Sequence, residues 1–150
     1  MANVKLGSQA GWKFNYAENL DSDRQLTPGD SGKLFFADKS SAVLVNLPQL
    51  SDVEAGWSCK IIVDVDGSSD ISVVGYGQPL TGGSAGDANK VCIATYTRDG
   101  ASSTYDADAD GFTIEAAGTI GDSVTITTNG SLWFAEGFAS AAAGMTAIAS

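Results

Sequence analysis

The plainest signal in the chain is alternation. From 57 to 65, Trp57, Cys59, Ile61, Val63 and Val65 fall on one side of an extended backbone, and Ser58, Lys60, Ile62 and Asp64 on the other. A period of two marks a half-buried β-strand. Shorter apolar runs occupy 33–36, 42–47, 71–74, 91–96, 112–115, 124–128 and 132–138. Valine, isoleucine, threonine and aromatic residues recur in them, the types that suit a pleated surface. Turn residues separate the runs: Thr27-Pro28-Gly29-Asp30-Ser31-Gly32, Asp38-Lys39-Ser40-Ser41, Asp66-Gly67-Ser68-Ser69 and Asn129-Gly130, the last being the strongest hairpin signal. The pattern predicts an all-β fold: a single-domain β-sandwich or jelly-roll-like barrel of roughly eight or nine short strands.

Several local expectations follow. The 66–69 turn should fold 71–74 back against the 57–65 strand as a hairpin. Ser51 and Glu54 have capping-box spacing, which predicts one helical turn within 49–56. Residues 75–90 are glycine-rich and polar and read as a long surface loop. Residues 1–26 read as an extended N-terminal arm or first strand, with Trp12, Phe14 and Tyr16 on alternate positions and therefore on one side. These aromatics either cover the chain's own core or reach a neighbouring subunit. The sandwich proper spans 27–138. The alanine-rich tail, 139–150, is expected to be frayed or ordered by a partner. No internal repeat or domain linker is evident.

Composition narrows the chemistry. The chain has 150 residues and a net charge of -10, with 18 acidic and 8 basic residues. That length builds a core without disulfide or metal staples. The acidic balance repels phosphates and anionic membranes, so neither nucleic acid nor membrane is an expected partner. It suits solubility, or docking on a basic protein surface. No apolar run has the length of a membrane span. No secretory signal pattern opens the chain, so synthesis in a cytoplasm is expected. Cys59 and Cys92 lie in apolar runs and read as buried thiols, with a disulfide left open.

Histidine is absent. The usual base of Ser-His-Asp or Cys-His catalysis is therefore missing, and no P-loop or dinucleotide fingerprint appears. The expectation is a non-enzyme with no catalytic residues and no required cofactor. Asp106-Ala107-Asp108-Ala109-Asp110-Gly111 matches the opening of a calcium loop. Its twelfth position is Ala117 rather than glutamate, and Glu115 falls two residues early. The segment reads as a solvated acidic turn; a non-helical calcium site of Asp106, Asp108, Asp110 and Glu115 is the alternative. Asp64, Asp66 and Asp70 form a second acidic set around a turn that glycine explains by itself. Trp12, Trp57 and Trp133 raise a sugar-stacking reading, although Trp57 and Trp133 sit in core-like runs.

The stretch Arg24-Gln25-Leu26-Thr27-Pro28-Gly29-Asp30-Ser31-Gly32-Lys33, then Phe35-Phe36, Val43-Leu44-Val45-Asn46-Leu47-Pro48 and Gly56, resembles small structural modules of tailed-bacteriophage virions. The closing unit, Gly121-Asp122-Ser123-Val124 through Asn129-Gly130-Ser131-Leu132-Trp133-Phe134 and Gly137, is similar too. Such modules occur in head-decoration proteins and in tail-fibre and tailspike segments. The resemblance implies a virion protein on the capsid exterior, made in the host cytoplasm. A module standing nearly alone with its own Met1 points to a decoration or cement protein. Its partner would be the major capsid protein, bridged by a homo-oligomer, with a trimer favoured. The alternatives are a tail-fibre or head-fibre component that binds the host surface, and a carbohydrate-binding module.

Overall fold

The computed structural model of the protein describes residues 17–76, 91–99, 103–106 and 109–149. The aromatic triplet Trp12, Phe14 and Tyr16 and most of the 75–90 loop lie outside the described residues. The strands, in chain order, are β1 (Ala17–Leu20), β2 (Arg24–Gln25), β3 (Leu34–Asp38), β4 (Val43–Asn46), β5 (Ser58–Val65), β6 (Ile71–Val74), β7 (Val91–Arg98), β8 (Ser103–Asp106), β9 (Ala109–Ile114), β10 (Ser123–Thr128), β11 (Trp133–Ala139) and β12 (Met145–Ala149). They form a seven-stranded sheet, β1-β3-β5-β10-β11-β7-β8, and a five-stranded sheet, β12-β9-β6-β4-β2. The two mixed sheets pack together, so the fold is the expected all-β sandwich.

The first six strands alternate between the sheets. As a result β1, β3 and β5 run parallel in one sheet, and β2, β4 and β6 run parallel in the other. The chain thus winds around the core in three turns before a second half closes it, antiparallel except where β11 runs parallel to β7. Register partners are unequally spaced along the chain, Ala17 with Leu34 and then Leu34 with Lys60, so no fixed sequence period accompanies the winding. This corrects the expected β5–β6 hairpin. β6 pairs instead with β4 and β9 in the opposite sheet, and β5 pairs with β3 and β10. Gly67 marks the crossing.

Alternation decides which side chains meet between the sheets. Phe35, Ile61, Ile126 and Trp133 of the larger sheet share one buried cluster with Val45, Val73, Phe112 and Met145 of the smaller. Trp57 and Trp133 meet edge to face at 5.2 Å between centroids. Tyr96 and Phe112 do so at 5.6 Å. Such pairs add about 0.5–1.5 kcal/mol to their area burial. β11 turns the small residues Ala135, Gly137 and Ala139 inward, and Gly137 makes room for Phe112. A Cβ on Gly137 would lie 2.5 Å from the Phe112 ring and 2.9 Å from the Met145 sulfur.

Other expectations change in detail. The 139–150 segment is no frayed tail: β12 pairs antiparallel with β9 and seals Met145 into the core. Residues 17–25 are not a free arm, because β1 and β2 pair with β3 and β4, and Leu20 is buried. The helical turn near 49–56 is one 3₁₀ turn at Leu50–Asp52 that starts from Gln49 rather than Ser51. Val65 emerges exposed past a register shift between Ala37 and Asp38. The Asn129-Gly130 hairpin joins β10 to β11 as expected. Gly130 takes positive φ, and the Asn129 side chain accepts from the Ser131 and Leu132 amides.

Candidate interaction surface

Two polar assemblies fix the frame on which a surface is displayed. The first gathers Glu18, Arg24, Asp30 and Lys33. Glu18 pairs with Lys33 and, at 2.6 Å, with Arg24, while Asp30 pairs with Lys33 at 2.8 Å. Asp30 also accepts from the Thr27 amide and hydroxyl at 2.7 and 2.8 Å. The Arg24 guanidinium lies over the buried Phe35 ring at 4.9 Å. Trp57 Nε1 donates to the Thr27 and Pro28 carbonyls. Residues 24–33 therefore form, with Glu18, a corner that locks β1, β2 and β3 over Trp57.

This corner has a pH signature. The hydrogen bond from Lys33, followed by Arg24, holds Glu18 below its ordinary value of 4.5. Burial works to raise Asp30, but Lys33 and Thr27 outweigh it and hold that carboxyl below 3.8. An acid with a depressed folded pKa contributes stability above its unfolded value and loses it as pH falls through the folded one. A Lys33→Met variant should melt below the parent at pH 7, and the gap should narrow progressively as pH falls below 4.5. Thermal melts of both proteins from pH 7 to acid check this; a gap independent of pH would refute it.

The second assembly surrounds Lys39, which is fully buried. Its ammonium donates to the carbonyls of Glu115, Ala116 and Gly118 at 2.6, 3.1 and 2.6 Å. Burial lowers its pKa, and Asp66, Asp122, Asp70 and Glu115 pull it back up. Asp122, also buried, accepts from the Thr119 and Ser140 amides. Asp66 accepts from the Ile120 amide. Asp66 and Asp70 of the acidic set around the 66–69 turn thus serve an internal ammonium, while Asp64 is exposed on β5. Lys39 escaped sequence reading because Asp38-Lys39-Ser40-Ser41 has the composition of a solvated turn. No local signal places it under residues 115–118.

The calcium candidates do not converge. Asp106 ends β8 in the larger sheet, Asp108 lies outside the described residues, and Asp110 belongs to β9 in the smaller sheet. Glu115 follows the far end of β9, roughly 16 Å of extended backbone from Asp110. Burial, then Asp70, raises the Glu115 pKa. No cluster of three or more metal-ligating side chains occurs among the described residues. Cys59 is a free buried thiol pushed up to about 12, first by burial. Three strand spacings, roughly 14 Å, separate β5 from the β7 backbone that carries Cys92. That is too far for a disulfide within one chain. Trp57 and Trp133 are buried and offer no face to a sugar.

What remains is the outer face of the larger sheet. Leu34 and Phe36 of β3, Ile62 of β5 and Phe134 of β11 are half-buried there, and Phe138 is 52% exposed. Ser58, Ser123, Thr125 and Thr127 lie between them, with Lys60 and Glu136 exposed. A shallow groove of about 470 Å³ runs over Leu34, Lys60, Ile62 and Thr125. The alternation of β5 made this face legible in part. Its apolar content was missed because each large side chain belongs to a different strand. No known protein family, curated protein or solved structure matches the chain.

Proposed function

We propose that this chain is a virion structural protein, a capsid decoration or cement module that stabilises a phage head by bridging capsomers. The observation that carries the reading is the broad outer face of the larger sheet, where Leu34, Phe36, Ile62, Phe134 and Phe138 stand among serine and threonine side chains. Exposed apolar area rimmed by polar groups belongs to protein contacts. The resemblance of residues 24–48 and 121–137 to phage modules supplies the setting. A homo-oligomer repeating weak contacts over a lattice resists internal pressure through avidity. The net charge of -10 suits a basic patch on the major capsid protein.

Residues 1–16, with Trp12, Phe14 and Tyr16, are the proposed arm. Deleting 1–16 should weaken capsid binding several-fold while leaving the melting transition in place. A deletion extended through 20 would also remove β1 and the buried Leu20 and should lower the melting transition. The decisive experiment is labelling of this protein in intact particles. Label spread over the icosahedral shell is expected. Label at one vertex would assign it to the tail, and absence from particles would end the virion reading.

A further inference from the structure

We infer that the outer face of the larger sheet is an interface between two copies of this chain, packed face to face about a two-fold axis along β10. This names the occupant of the face on which the virion reading rests, and the association measured below can fail while particle labelling succeeds, or the reverse. β10 is the central strand, with β5 on one side and β11 on the other. Register sets three outward rows across them: Ile62–Ser123–Phe138, Lys60–Thr125–Glu136 and Ser58–Thr127–Phe134. Every middle position is serine or threonine, small enough for two β10 strands to approach.

Rotation about that axis exchanges the flanks. Phe138 lands on the partner's Ile62, Phe134 on the partner's Ser58, and Glu136 on the partner's Lys60. The face is therefore complementary to itself in charge at Lys60 and Glu136 and in apolar contact at Ile62 and Phe138, as an isologous two-fold contact requires. Within one chain Lys60 and Glu136 stand two strands apart, about 10 Å, with Thr125 between them. That distance is beyond effective pairing at physiological salt. Neither makes an ion pair among the described residues. Seven strands of four to eight residues give the face an area of roughly 670 Å². That lies within the roughly 600–1,000 Å² per partner of a standard interface.

Charge exchange on the full chain tests the pairing, read by analytical ultracentrifugation over micromolar concentrations. The parent should be a dimer. Lys60→Glu and Glu136→Lys should each raise the dimer dissociation constant at least about tenfold by setting like charges together. The K60E/E136K double variant should restore it. Phe138→Asp should dissociate the dimer with an unchanged melting transition, which separates lost association from lost folding. A monomer, a trimer, or a dimer indifferent to the exchange would overturn the inference. So would dimers that form only after deletion of residues 1–16, which would assign the face to the chain's own N-terminal segment.

Discussion

Replacing Lys39 with methionine is expected to lower unfolding stability by about 3–5 kcal/mol, the range for breaking a buried charged assembly. Methionine keeps most of the volume, so the loss measures the ammonium and not a cavity. Three donated hydrogen bonds disappear, and the Glu115, Ala116 and Gly118 carbonyls lose a shared donor. Bonds from a charged donor are worth about 1.5–3 kcal/mol each, and a stranded buried acceptor costs about 1–3. Asp66, Asp70, Asp122 and Glu115 also lose the cation between them. The loss should therefore carry a pH dependence. Glu115 is already raised, and removing Lys39 takes away the one influence that lowers it. Its protonation relieves the repulsion, so the gap between variant and parent should shrink as pH falls through the Glu115 range. Urea denaturation at pH 7 and pH 5 measures both quantities. A loss under about 1 kcal/mol at pH 7 would mean that the three carbonyls find water instead.

The parts of this fold legible in the sequence are those governed by neighbours a few residues apart. Alternation in 57–65 named the buried face of β5, and Asn129-Gly130 named the β10–β11 hairpin. Both rest on local backbone chemistry. Alternation does not say which sheet a strand joins. Ile71 to Val74 read as a hairpin partner of β5 because the turn before them has hairpin residues. The chain instead crosses to the second sheet at that turn. β12 was hidden by alanine, a poor strand former. Its pairing with β9 and the seating of Met145 in the core override that propensity. The candidate surface was only half legible for a related reason. Ile62 could be placed outward from its own strand, but its row with Ser123 and Phe138 exists only once β10 separates β5 from β11.

Gly67→Ala should be the most damaging glycine-to-alanine substitution among the described residues, costing more than about 4 kcal/mol. Its backbone φ is not the issue. An added Cβ would stand 1.9 Å from the Lys39 carbonyl oxygen, 2.2 Å from its carbon and 2.7 Å from the Ser40 nitrogen. Those atoms are backbone, so no side-chain rotation relieves the overlap. The Lys39 carbonyl is also fixed, because it accepts from the Ser69 amide, while the Lys39 amide donates to Val65. The β5–β6 connection must therefore lift away, and it takes with it Asp66, whose carboxylate holds the Ile120 amide. Gly29→Ala is the control: its nearest neighbour is the Thr27 hydroxyl at 3.7 Å, and its cost should stay within about 0.5 kcal/mol. A Gly67→Ala protein that melts within a few degrees of the parent would break the argument. Because the β5–β6 connection and the Lys39 ammonium hold the same 115–122 loop, their losses should not add. The G67A/K39M double variant should lose at least about 0.5–1 kcal/mol less than the sum of the two single changes, the coupling expected of residues in one network.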